Sequence, residues 1–196
     1  MSQNKNIVLV MGKPNTGKST SLMKLHNQDK MVYLNTDLKE LPFKNKFLKS
    51  VEVSDPVDVL GFISDIEHEP LVEGAVLDTI TFLMSQYENQ YVLGSANTQA
   101  AWGQYAKFYK DFIHMIKSGT KDYAILAHEE SMLNEIAMQM ETRVPIKGSV
   151  GKIGIEADFT TILSTKQMPL KRLEGFENDL LHITDEEKED GFKFVF

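Results

Sequence analysis

Cysteine is absent from all 196 residues, so the chain can form neither a disulfide framework nor a thiolate metal site, and thiol redox chemistry is excluded. That composition suits a reducing cytoplasm. Long apolar runs are also missing: nowhere do the roughly 18 residues that a membrane-crossing helix needs run together. The opening MSQNKN leads straight into a short apolar strand, so neither a signal peptide nor a membrane span is expected. Positive charge is short as well. The formal net charge is -7 and the pI about 5.3, so any contact with nucleic acid must come from a local basic patch or from assembly of several subunits. Much of the acidity sits in ITDEEKED, residues 183–190, which reads as a solvated surface loop without chemistry.

What is present points to one compact α/β unit. With 42% hydrophobic residues, a chain of this length buries one sizeable core, and residues 1–196 are expected to form a single domain. Ile7 to Met11 is an unbroken apolar run, as a central parallel strand covered on both faces requires. Met31 to Leu34, Ala75 to Leu77, Tyr123 to Leu126 (continued by Ala127 and His128) and Phe159 to Leu163 read as further strands. Helical patterns alternate with them: Lys18 to Leu25, Val57 to Ile66 with Ser54 and Asp55 as cap candidates, and a third beginning near Thr79. The longest carries Trp102, Tyr105, Tyr109, Phe112, Ile113 and Ile116 at helical spacing, with Gly119 where a C-terminal cap is wanted. That aromatic stripe reads as core rather than as a base-stacking surface. Residues 129–158 show no clear strand, and so long a connection in a compact domain is expected to be functional or mobile. Phe192 to Phe196 reads as an edge strand in which the chain stops, as in a truncated or an unusually ending version of a longer protein, and the sequence does not choose between the two.

The strongest motif is GKPNTGKS, which satisfies GxxxxGK[ST] at Gly12, Gly17, Lys18 and Ser19 between a strand and a helix. In such a loop, which here runs from Gly12 through Lys13, Pro14, Asn15 and Thr16 to Gly17, successive backbone N–H groups turn inward on phosphate oxygens at a helix N-terminus. Lys18 supplies a full charge to the β- and γ-phosphates, Ser19 ligates Mg²⁺, and Thr20 is placed for the α-phosphate. A second, acidic component is expected at the end of a strand adjacent to the loop, and Asp78, closing GAVLD, fits as metal-shell carboxylate, as helix cap, or as both. Hydrolysis also needs a group to orient the attacking water. Asp37, after MVYLNT, competes for that role with Glu129 and Glu130, and residue types alone do not choose among them. His128 ends a strand expected beside the loop strand, where it either senses the γ-phosphate or is a buried, hydrogen-bonded histidine. Arg143, Lys147 and Lys152 flank GSVGKIG and read as a basic loop on a nucleic-acid backbone, as cations inserted into a neighbour's nucleotide site, or as plain solvated charges. GSVGK lacks the spacing of a second phosphate loop, and no guanine-selective NKxD occurs, which favours ATP.

Taken together, GKPNTGKST, the strand ending AVLDTIT, Trp102 with Gly103, LAHEE at 126–130 and PIKGSVGKIGIEADFTTIL at 145–163 resemble phage-encoded RecA-like ATPases, the phage nucleotide-binding proteins or Sak-type single-strand annealing ATPases. The resemblance runs from about residue 5 to the end. It implies a RecA-like P-loop NTPase fold with a mainly parallel sheet, ATP hydrolysis with Mg²⁺, and rings or filaments of identical subunits. It also implies single-stranded DNA binding in phage recombination or replication, alongside a single-strand binding protein in the cytoplasm of an infected host. By position it would make Lys18 and Ser19 the ATP·Mg²⁺ ligands, Asp78 the Walker B carboxylate, His128 the sensor and Asp37 the catalytic carboxylate. Two rivals stand beside it. A small P-loop kinase usually carries an arginine-rich lid, whereas the arginines here are Arg143 and Arg172. A nucleotide-gated assembly switch without DNA binding would hydrolyse slowly and need no Asp37.

Overall fold

The structure, a computed structural model, describes residues 6–134, 138–176, 178–179 and 181–195. Six parallel strands and one antiparallel strand form a single sheet in the order β3-β2-β4-β5-β1-β8-β9, with a separate two-stranded hairpin, β6-β7. The strands are β1 (Ile7–Gly12), β2 (Met31–Asn35), β3 (Lys49–Glu52), β4 (Gly74–Asp78), β5 (Asp122–His128), β6 (Glu130–Asn134), β7 (Gln139–Arg143), β8 (Thr161–Pro169) and β9 (Phe192–Val195). The helices are α1 (Lys18–Ser21), α2 (Asp58–His68), α3 (Ile80–Tyr87), α4 (Thr98–Ser118), α5 (Gly148–Ile153) and α6 (Asp185–Asp190). The fold is α/β with a mainly parallel central sheet flanked by helices, as expected. Among the described residues no helix is long and apolar enough to cross a membrane.

Strands β2 and β4 are buried at every position, which is why they read as unbroken apolar runs rather than as alternations. The period of two still divides their side chains between two cores. On one face Leu9, Leu34, Leu77 and Ile125 meet α2, α3, α4 and α5. The stripe Tyr105, Tyr109, Phe112, Ile113 and Ile116 lies in that core, so α4 packs with its aromatics. On the other face Val10, Tyr33, Val76 and Leu126 meet Leu22, Leu25 and the irregular segment carrying Leu41, Phe43 and Phe47. Phe47 stacks on Tyr33 at 5.1 Å between ring centroids.

Several expectations are corrected. The helix expected over Lys18 to Leu25 is α-helical only to Ser21 and tightens into a 3₁₀ turn, Leu22–Lys24. Ser21 Oγ donates to the Lys18 carbonyl at 2.5 Å, a local bond of the kind that competes with helix continuation. Residues 129–158 hold the β6-β7 hairpin and α5, although no strand was expected there. Alternation in sequence comes from one buried face, and β7 is exposed at every position, so it carries no such imprint. The acidic segment is helical over α6, capped by a reciprocal pair: Glu187 N–H donates to Thr184 Oγ1 and Thr184 N–H to Glu187 Oε2. Gly119 does follow α4, but in extended conformation; its lack of a side chain makes room for Glu67, whose Oε1 would lie 2.1 Å from a Cβ there. The expected edge strand is β9, while Phe196 and any continuation lie outside the described residues.

Candidate functional site

The loop between β1 and α1 is shaped by two glycines. Gly12 ends β1 against β8, and a Cβ added to it would fall 2.1 Å from Thr165 Oγ1 and 2.6 Å from Thr16 Oγ1. Those two hydroxyls bond each other at 2.7 Å, and Thr16 Oγ1 also donates to the Lys13 carbonyl at 2.8 Å. Gly17 has φ 95°, a left-handed conformation that costs glycine little, and it sits at the N-terminus of α1. Lys18 is buried and curls back over the loop, donating to the carbonyls of Gly12 at 2.9 Å and Lys13 at 2.8 Å. Burial pushes its pKa below the usual lysine value, while Asp78, Glu129 and Asp37 oppose that shift by their charge.

Asp78 ends β4, which is separated from β1 by β5. The carboxylate nevertheless reaches the loop, because Ser19 Oγ donates to its Oδ2 at 2.9 Å and the Tyr33 hydroxyl to the same oxygen at 3.0 Å. Burial holds the Asp78 carboxyl above the ordinary range, and the two hydroxyls pull the other way. Immediately after it, across a cis peptide, Thr79 caps α3 by accepting from Phe82 N–H. So Asp78 faces the loop while the cap role falls to its neighbour.

A raised carboxyl pKa means that the folded state takes up a proton more readily than the unfolded chain. Stability is therefore lost as pH rises from the ordinary carboxylate range through the shifted value. The Asp78→Asn variant keeps an oxygen for both hydroxyls and has no charge to bury. Its melting temperature without nucleotide is expected to equal or exceed the wild type's by a few degrees at pH 7. A clear drop in thermal unfolding would show that the ionised carboxylate is net favourable.

Asp37 follows β2 and lines the same cleft, with Lys39 Nζ 3.7 Å from its Oδ2. Of the competing carboxylates, Glu129 accepts from Ser164 Oγ at 3.0 Å and its own N–H donates to the Gly12 carbonyl, which ties it to the loop strand. Glu130 instead pairs with Arg143 across the base of the β6-β7 hairpin at 3.0 Å. His128 pairs in register with Gly12, so β5 does run beside the loop strand. Its ring packs edge-on against Phe82, and its buried Nδ1 has no hydrogen-bond partner among the described residues. Burial and the charges of Lys18 and Lys39 push its pKa below the usual histidine value, which keeps the imidazole neutral. Lys147 pairs with Glu88 at 2.9 Å, and Lys152 makes no ion pair among the described residues.

Lys18, Ser19, Thr20, Asp37, Asp78 and His128 line a cleft of about 340 Å³ at the carboxyl edge of the sheet, where ligands of open α/β folds bind, whereas Glu129, Glu130, Arg143, Lys147 and Lys152 are not part of its lining. Ser19 and Asp78 offer a hydroxyl and a carboxylate, the hard oxygen donors that Mg²⁺ prefers. Among the described residues no three histidine or acidic side chains cluster as a metal cage. Two partners carried no signal in sequence. Tyr33 is one of several residues in an apolar strand, and Thr165 meets Gly12 only through the pairing of β1 with β8.

A scan against protein-family models finds no match, and a search of curated protein sequences finds none either. Among solved structures, the chain is similar to a KaiC-like protein from the hyperthermophilic archaeon Pyrococcus horikoshii OT3, at 10% sequence identity and a TM-score of 0.43, over 74% of this chain and 80% of that one.

Proposed function

We propose that this protein is a Mg²⁺-dependent, RecA-like P-loop ATPase whose hydrolysis is coupled to binding of single-stranded DNA. The observation that carries the ATPase reading is the convergence of Lys18, Ser19 and Asp78 at one loop, with Ser19 Oγ 2.9 Å from the carboxylate. Lys18 leaves its two carbonyls for the β- and γ-phosphate oxygens, where a full charge offsets what develops on transfer. Bound Mg²⁺ supplies Lewis-acid polarisation of the phosphates, and Ser19 and Asp78 are the residues that would hold it. Neutral His128 is placed to bond the terminal phosphate. Asp37, in the cleft, is the residue we assign to orienting water, with Glu129 held by Ser164 and the loop backbone.

The DNA side of the reading is supported by the β6-β7 hairpin. It follows β5 after the single residue Glu129 and exposes Met132, Leu133, Met138 and Met140. Apolar side chains of that kind suit unstacked bases better than phosphates, which fits a chain of net charge -7. With Arg143 and Lys147 paired within the chain, Lys152 is the cation left for a backbone phosphate or a neighbouring subunit's site. Assembly into rings or filaments, and work beside a single-strand binding protein in phage recombination or replication, belong to the same proposal. The test is steady-state ATP hydrolysis with Mg²⁺, with and without single-stranded DNA, over a salt series. Turnover stimulated by DNA, with the stimulation weakening as salt rises, is expected. Turnover indifferent to DNA at every salt concentration would move the assignment to a kinase or a nucleotide-gated switch.

A further inference from the structure

The cleft has an aromatic wall that none of the phosphate chemistry uses. Sheet order sets a direction along the loop: Asp78 and His128 come from β4 and β5 on one side of β1, and β8 and β9 lie on the other. A triphosphate whose terminal phosphate faces Asp78 and His128 therefore runs its nucleoside end towards β9. There Phe194 lines the cleft and lies against the loop, with its Cδ1 and Cγ 3.5 Å from where a Cβ of Gly17 would be. The other aromatic residue lining the cleft, Tyr33, is buried, stacked on Phe47, and engaged with Asp78 through its hydroxyl. Phe194 keeps 38% of its surface exposed, so its ring is available.

The ring is also held in place. Phe192, on the same face of β9, meets it edge-on at 5.5 Å. Between them Lys193 points the other way and pairs with Glu187 of α6 at 2.6 Å, and Glu187 belongs to the capping pair of that helix. The strand itself is registered on β8, with Phe194 opposite Gln167, two residues beyond the Thr165 that faces Gly12. An exposed ring fixed at the nucleoside end of a phosphate cleft has the geometry of a base platform, since every nucleobase offers a π-face to an aromatic side chain.

We propose that Phe194 stacks on the nucleobase of the bound nucleotide, which makes the C-terminal strand part of the nucleotide site. The inference rests on the nucleotide-binding reading above, and binding calorimetry separates the two. With Mg²⁺ present, Phe194→Ala is expected to weaken ATP binding by roughly tenfold or more. Binding of inorganic tripolyphosphate is expected to stay unchanged, and Phe194→Tyr to retain wild-type affinity for ATP. Equal weakening of both ligands would overturn the proposal, because Phe194 would then merely support the loop. Tighter binding of both would overturn it in favour of a ring that blocks the loop. Wild-type protein that binds tripolyphosphate and ATP equally well would also overturn it, while failure of the wild type to bind either would remove the nucleotide reading itself. Circular dichroism of both variants confirms that each retains the wild-type fold.

Discussion

Replacing Lys18 with alanine is expected to reduce steady-state ATP hydrolysis by at least about a hundredfold, on the order of what loss of one preorganised charge-stabilising donor costs. The side chain is buried near three carboxylates, and among the described residues its hydrogen-bond partners are the Gly12 and Lys13 carbonyls. Its environment disfavours the charged form on balance, so removing it from the nucleotide-free protein relieves a desolvation cost. Rate and stability therefore separate. Hydrolysis should collapse while the melting temperature stays within a few degrees, and the upward shift in melting temperature that ATP·Mg²⁺ gives the wild type should vanish. Turnover surviving in Lys18→Ala would place the chemistry elsewhere.

Replacing Phe112 with alanine is expected to do the opposite. Phe112 is 1% exposed in the middle of α4, at the centre of the larger core, and truncating such a ring leaves a cavity that the packed neighbours close only in part. The cost is about 3–5 kcal/mol, which for a domain of this size lowers the melting temperature by roughly 10 °C. Chemical denaturation and calorimetry read both quantities. Because Phe112 lies in the core and not in the cleft, the ATP-induced shift in melting temperature should persist in this variant. A loss of less than about 1 kcal/mol would mean that α4 packs more loosely than its burial indicates.

What could be read ahead of the fold follows from where physical signals are written in a chain. The phosphate loop is a contiguous device, so its glycines, lysine and serine announce it with a strand before and a helix after. Strands covered on both faces, such as β2 and β4, leave apolar runs that a reader finds without knowing their neighbours. Asp78 was visible because a carboxylate closing such a run is unusual, yet the insertion of β5 beside β1 was not, since strand order leaves no local trace. Thr165 is 149 residues from the Thr16 hydroxyl it meets, and Phe194 is further still from the loop it touches. The hairpin went unread because exposed strands carry no burial pattern. The α6 helix does have a local trace, since Thr184 with Glu187 three residues on is a capping signature, but it lies inside an acidic run that reads as solvated charge.

The uneven covering of the sheet has a consequence for how the cleft breathes. One wall rests on four helices and a large core. The opposite wall, from Lys39 to Pro42, belongs to an irregular stretch anchored mainly by Leu41, Phe43 and Phe47 over a small cluster. Cooperative units that bury little and contain few backbone ladders open at low free energy, far below global unfolding. Amide protons of residues 38–48 should thus exchange by local opening while those of β1, β4 and β5 wait for the whole molecule to unfold. The molecule is then expected to behave as a stiff bed carrying the phosphate loop with a lighter wall beside it, and protection of residues 38–48 on addition of nucleotide, with β1, β4 and β5 unchanged, is the exchange pattern that checks it.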